Sequence, residues 1–202
     1  HDAKPVFVVH NAISLEELGV IVESPFKGKD YVFCAGRLEW RKNQYNLAKA
    51  MKILYGRGHK LGLLLAGENA ADDVFLSLLK KELEGVQAAW IGTQPASVIY
   101  GAMVSARVYC QPSFYETPGL ASLEAAALGV PLVVGAWGSE PEYFGSLAEY
   151  CIPTDPVSIA DAIERALAAD PVRWKTLSGV VKRNFTYEAA AEKLLAIYKN
   201  VI

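Results

Sequence analysis

The sequence is poor in cysteine, histidine and positive charge, and it has no long apolar run. Each shortage closes off a class of function. The three cysteines, Cys34, Cys110 and Cys151, all stand in apolar, strand-like runs. An odd number without short paired spacing argues against a disulfide framework or a zinc site and for buried thiols in a reducing, cytoplasmic compartment. Three histidines occur, and His10 has no companions at metal-ligand spacing, so it reads as structural. Twenty Lys and Arg against twenty-two Asp and Glu give a net charge of -2, which argues against nucleic acid as a partner. No stretch approaches the ~18 apolar residues of a membrane span, and no secretory leader is visible. There is no internal repeat. The chain starts at His1 rather than Met and reads as a piece of something longer.

What is present is a globular composition: 202 residues, 52% hydrophobic and 21% charged, enough for one domain with a full core. Lys4 to Val9, Tyr31 to Ala35, Leu61 to Ala66, Val86 to Ile91, Val108 to Cys110, Val130 to Val134 and Tyr150 to Ile152 read as short strands. Helical spacing is expected over Gln44 to Tyr55, Asp73 to Leu83, Ala96 to Val104, a segment opening at Thr117, Asp155 to Ala168, Pro171 to Arg183, and Thr186 to Ile202. Leu15 to Lys29 reads as a loop, with Pro25 and Gly28 as breakers. Glu140-Pro141-Glu142 reads as a solvent-exposed turn. Strands alternating with helices imply an α/β, Rossmann-like doubly wound parallel sheet with helices on both faces. Ligands of such folds bind beyond the carboxyl ends of the strands. Gly36-Arg37, Gly92-Thr93 and Glu116 all follow strands directly and so converge on one rim.

The chain is organised around Ser113 to Gly135, SFYETPGLASLEAAALGVPLVVG. Thr117 is a good helix cap and Pro118 is tolerated at a first helical position, so a helix is expected to open there. Glu124 is the single charge from Leu120 to Gly135, roughly 7 Å along the axis if the helix begins near Gly119. Buried without a partner it would be costly, and sugar hydroxyls would satisfy it. Glu116 stands in the preceding loop. Between the two carboxylates, the first free amides of the helix and its dipole suit an anion. That layout fits a ligand with hydroxyls at both ends and phosphate in the middle, as in a nucleotide sugar. Ordinary capping and dipole effects account for the same residues without a ligand.

After Tyr31 to Ala35 comes Gly36-Arg37-Leu38-Glu39-Trp40-Arg41-Lys42-Asn43, a glycine turn with basic residues just ahead of a helix. This makes a reasonable phosphate cradle: Arg grips a diphosphate in two places and Lys acts as a point charge. A solvated basic loop is the plainer alternative.

E-T-P-G-L-A-S-L-E-A-A-A-L-G-V-P-L-V-V resembles the E-x7-E signature of the retaining glycosyltransferases of the two-domain GT-B fold, the glycosyl transferases group 1 family. Pro118 stands where Phe is common there, and Ala126 where Met is common. GRLEWRKNQ is similar to the same family's G-R-L-x-x-x-K element, with Arg37 and Lys42 on its diphosphate positions and Arg41 as a nearby competitor. The resemblance implies the C-terminal, donor-binding half of such an enzyme. On that basis residues 1–30 are a linker strand and loop and residues 31–202 the nucleotide-sugar domain, with the N-terminal acceptor domain outside this chain.

The reaction implied is transfer of a sugar from a UDP-, GDP- or ADP-sugar with retained anomeric configuration and without an obligatory metal or cofactor. Arg37 and Lys42 would neutralise the diphosphate, helped by amides near Gly119 and Leu120, with Gly36 and Thr117 lining the same place. Glu116 would hold donor-sugar hydroxyls, Glu124 the ribose, and Thr93 the base. The acceptor, whether glycan, lipid-linked sugar or small molecule, would belong to the missing half, as would any membrane attachment. Two alternatives stand beside this: a non-catalytic nucleotide-binding module of the same fold, and a sugar-nucleotide epimerase or oxidoreductase. A dehydrogenase would carry G-x-G-x-x-G after the first strand, and Gly36-Arg37-Leu38 does not supply it.

Overall fold

The computed structural model describes residues 6–24, 26 and 28–201. Among them, six parallel strands form one sheet: β1 (Tyr31–Ala35), β2 (Gly62–Ala66), β3 (Ala88–Trp90), β4 (Val108–Gln111), β5 (Leu132–Gly135) and β6 (Glu149–Cys151). Their order is β3-β2-β1-β4-β5-β6. This is the doubly wound order in which the chain first winds one way from β1 and then returns to wind the other way from β4. The expected α/β sheet is therefore formed, and its switch point lies between β1 and β4.

The described helices are α1 (Leu15–Leu18), α2 (Gln44–Gly56), α3 (Asp73–Leu83), α4 (Ala96–Ser105), α5 (Leu120–Ala127), α6 (Glu140–Phe144), α7 (Pro156–Ala168), α8 (Pro171–Asn184) and α9 (Tyr187–Val201). A single 3-10 turn, Trp40–Lys42, precedes α2. Helices α3, α2 and α7 pack as neighbours, and so do α4, α5 and α8 against the other side of the sheet. Strands covered on both faces read as unbroken apolar runs. Accordingly β1, β2, β4 and β5 are buried along their whole length, whereas the edge strand β3 is exposed. Phe33, Tyr109, Leu65, Met51 and Leu123 fill the two layers of core, each such side chain contributing about 2 kcal/mol on burial. The three cysteines are free and buried. Burial pushes the thiols of Cys34 and Cys151 up to about 12, so they pack as inert apolar groups.

Four expectations are corrected. Residues 6–9 form no strand: Val6 and Val8 are exposed and no neighbouring strand offers them a ladder. Lys4 and Pro5 lie outside the described residues, as does the Pro25 breaker. Leu15–Leu18 is a short helix rather than loop, because Ser14 Oγ accepts the Glu17 amide and Glu16 and Glu17 complement its positive end. Helix α5 starts at Leu120 with Gly119 as its uncapped N-cap, so Thr117 is not the cap. Glu140-Pro141-Glu142 opens helix α6, and Glu140 is buried rather than solvated.

Candidate functional site

The carboxyl ends of β1 and β4 are adjacent, and the segments that leave them meet. Gly36 follows β1, and its amide donates to Ala66 O at 2.8 Å. Gly67, after β2, backs onto it: a Cβ there would lie 2.1 Å from Gly36 O, so only glycine admits this close approach. The chain then turns through Trp40–Lys42 into Asn43, whose φ of 63° is left-handed. Two carbonyls hold Asn43 there, since its Nδ2 donates to Pro112 O (2.8 Å) and Pro153 O (2.7 Å). Asn tolerates this conformation better than most residues. The result is that Lys42 is turned inward, its stem lying across Gly36.

From the other side β4 ends in Gln111 and runs through Ser113 to Glu116. Glu116 is buried, 4% exposed, and is held by three donors: Lys42 Nζ to Oε1 (2.6 Å), Ser113 Oγ to Oε1 (2.6 Å) and Arg41 Nη1 to Oε2 (3.4 Å). Ser113 is oriented in turn by Gln111 Nε2 (2.9 Å), and Gln111 Oε1 accepts from Tyr109 OH (3.1 Å). A chain of hydrogen bonds thus runs from the core to the rim. Ser139 closes the back, its N and Oγ donating to Glu116 O at 3.1 and 3.2 Å.

Glu116, Lys42 and Gly36 are therefore brought together. Gly119 joins them, since a Cβ on it would meet Glu116 Cγ at 3.5 Å. The first amides of α5 have no intrahelical acceptor, and no side chain caps them. Leu120 and Thr117 are exposed beside them; Thr117 O accepts from Asn11 Nδ2 (3.2 Å). Ser122 Oγ, in the same first turn, is fully buried and without a partner. Glu124 lies one turn further on, half-buried, with Tyr100 OH donating to its Oε1 at 3.1 Å. Burial raises Glu124 above the usual carboxylate range, and the Tyr100 hydroxyl works against that.

Two residues stand apart. Arg37 is exposed on the rim, with Glu39 as its ion partner at 3.5 Å, and does not reach Glu116. Arg41 does reach it, and also donates to Tyr115 O (3.2 Å) and Glu39 Oε1 (2.9 Å). Thr93 is exposed beyond β3, on the same rim but toward the sheet edge. His10 packs edge-on against Tyr143 and Phe185, as a structural residue would.

Asn43, Gln111, Ser113 and Ser139 carry the site's framework, and the sequence alone does not mark them as site residues. One signal was available: Gln111 is a polar residue ending an otherwise apolar run. Among the described residues no cluster of three or more His, Cys, Asp or Glu is placed to hold a metal. No helix among them is long and apolar enough to cross a membrane. A cavity of about 390 Å³ lies at the opposite end of the sheet, by the amino ends of β1 and β2, lined by residues such as Phe26, Lys60 and Ala88. Its charged lining residues, Lys29, Asp30 and Lys60, stand beside no helix start among the described residues, whereas ligands of this fold bind at the carboxyl rim.

The chain is similar to known proteins in sequence and in fold. In sequence the chain is 30% identical over 193 residues to O-antigen chain mannosyltransferase B of Escherichia coli, covering 91% of this chain and 49% of that protein. It is 26% identical over 183 residues to glycogen synthase of Mycobacterium tuberculosis, covering 90% and 44%. In structure it matches a glycosyltransferase from Rickettsia africae with a TM-score of 0.78 at 14% identity, covering 96% of this chain and 57% of that one. Sucrose-phosphate synthase from Thermosynechococcus elongatus gives 0.75 at 23% identity, covering 96% and 52%. The structural matches establish the fold, and the chain spans about half the length of the curated relatives it matches. The family model of the glycosyl transferases group 1 matches residues 21–178, the greater part of the chain and both sides of the rim, and the chain belongs to that family.

Proposed function

We propose that this chain is the donor-binding half of a retaining glycosyltransferase, and that the carboxyl rim between β1 and β4 takes a UDP-, GDP- or ADP-sugar. The observation that carries the reading is the joining of Glu116 and Lys42 beside the uncapped start of α5. A diphosphate placed there would meet the free amides of Gly119 and Leu120 and the positive end of the helix. Lys42 has three donors and gives one to Glu116, leaving others for a phosphate oxygen. Arg41 and Arg37 flank it, and Arg41 is assigned the larger share because its guanidinium already lies at Glu116.

The chemistry follows from these positions. As the bond between sugar and diphosphate breaks, negative charge grows on the leaving group, and Lys42, the arginines and the helix amides stabilise it. Glu116, fixed by Ser113 and Lys42, accepts hydrogen bonds from donor-sugar hydroxyls and orients the ring. Glu124 accepts from the ribose and Thr93 lies toward the base. Gly36 lets the ligand approach the backbone of the turn. The acceptor is bound by a further domain of the full protein, so the isolated chain binds nucleotide and transfers no sugar.

Calorimetric titration of the chain with UDP, GDP and ADP tests this reading. One diphosphate is preferred, and its affinity falls in Arg41→Ala. Equal, weak binding of all three with no effect of that substitution contradicts it.

A further inference from the structure

Two carboxylates are fully buried among the described residues, Glu116 and Glu140. Glu116 is satisfied by Lys42, Ser113 and Arg41. Glu140, 1% exposed at the start of α6, is not: its Oε2 has no hydrogen-bond partner. The same oxygen lies directly behind the Glu116 loop. A Cβ on Gly138 would come within 2.2 Å of Glu140 Oε2 and within 2.8 Å of both Glu116 N and Glu116 O, so Gly138 is the spacer between carboxyl and loop backbone. The next residue, Ser139, makes the two hydrogen bonds to Glu116 O. Gly138, Ser139 and Glu140 thus form a cradle under Glu116.

A buried carboxylate with an unpartnered oxygen is costly when charged and less so when neutral. Burial is the largest influence on Glu140 and pushes it up to about 7; its own backbone amide opposes this, the charge of Glu116 adds to it, and Lys42 opposes it. The other groups facing it are Tyr150 and Cys151 of β6, both pushed up to about 12 and so neutral across the working range. On its own helix Glu142 is turned to His10 at 3.6 Å.

We propose that Glu140 is a positioning residue for Glu116: as a neutral acid it packs behind Gly138 and lets Ser139 close on the Glu116 backbone, and losing its proton displaces that turn and with it the Glu116 carboxylate. The functional consequence rests on the reading of Glu116 as the holder of the donor sugar. A nucleotide diphosphate bound at Lys42 adds negative charge nearby and favours the protonated form, so ligand binding and protonation of Glu140 reinforce each other.

Amide NMR of the chain from pH 5 to 8.5 tests the positioning directly. The amides of Glu116 and Ser139 are expected to move together with a midpoint near 7 in the wild type and to stay put in Glu140→Gln, which keeps the shape and cannot titrate. Urea unfolding of the same two proteins reads the proton. A folded-state value above the ordinary one means stability that is present at low pH and lost as pH rises through about 7. Relative to Glu140→Gln, the wild-type folding equilibrium should fall on the order of a hundredfold between pH 4.5 and 8. Parallel stability curves, or an unmoved Glu116 amide, overturn the proposal. UDP, GDP and ADP affinities at pH 6 and 8 separate the two readings: a pH-dependent Glu116 loop in a chain that binds none of them leaves Glu140 as assigned and removes the donor-sugar role.

Discussion

Lys42 Nζ lies 2.6 Å from Glu116 Oε1, although the two residues are 74 apart in sequence, and both side chains are largely buried. Removing one partner strands the other charge. Lys42→Ala is therefore expected to cost about 3 kcal/mol in urea unfolding and to abolish diphosphate binding. The double variant Lys42→Met with Glu116→Gln should recover part of the stability and none of the binding. A single Lys42→Ala variant as stable as the wild type would show that the pair contributes nothing.

Arg37 is exposed and pairs, among the described residues, with Glu39 at the surface, so Arg37→Ala should leave stability within about 0.5 kcal/mol of wild type. Arg41 bridges Glu39, the Tyr115 carbonyl and Glu116. Arg41→Ala should cost more in nucleotide affinity than Arg37→Ala. Calorimetry on the two variants decides which arginine dominates, and a larger loss in Arg37→Ala would reverse the assignment.

Glu124→Gln preserves the acceptor for Tyr100 OH while removing the charge. The expected outcome is about a tenfold loss of nucleotide affinity, the scale of a lost hydrogen bond to a charged group, with a thermal midpoint near that of wild type. A large fall in the midpoint with unaltered binding would make Glu124 a structural residue.

Gly138→Ala puts a Cβ against Glu140 Oε2 and the Glu116 backbone. Forcing an atom into a packed site costs about 1–3 kcal/mol, and here the strain falls on the Glu116 loop. Chemical denaturation should show that loss, accompanied by weaker nucleotide binding. Wild-type behaviour on both counts would mean that the turn yields freely.

Much of this arrangement is legible in the sequence. Buried strands announce themselves as apolar runs, and Tyr31–Ala35 and Asp73–Leu83 fall where the pattern puts them. The basic turn after β1 and the two glutamates around α5 are visible because charges in apolar surroundings stand out. What is hidden depends on contacts across the fold. Val6 to Val9 has strand composition and lacks a partner strand. The Asn43 clamp requires Pro112 and Pro153, 69 and 110 residues away. Glu140 looks like a surface residue in a turn beside Pro141, and the packing of α6 buries it. Thr117 has the right chemistry for a cap, yet the loop that turns Glu116 inward carries Thr117 outward and leaves Gly119 at the helix start.

The central claim is that nucleotide binds at the carboxyl rim, and hydrogen exchange with and without the preferred diphosphate tests it most directly. Backbone amides slow their exchange where a ligand suppresses local opening. Protection is expected at residues 36–42 and 113–124, on both sides of the Lys42–Glu116 pair. Protection confined to residues 29–31, 60–64 and 87–89, around the cavity at the amino ends of β1 and β2, would place the ligand at the other end of the sheet and contradict the account.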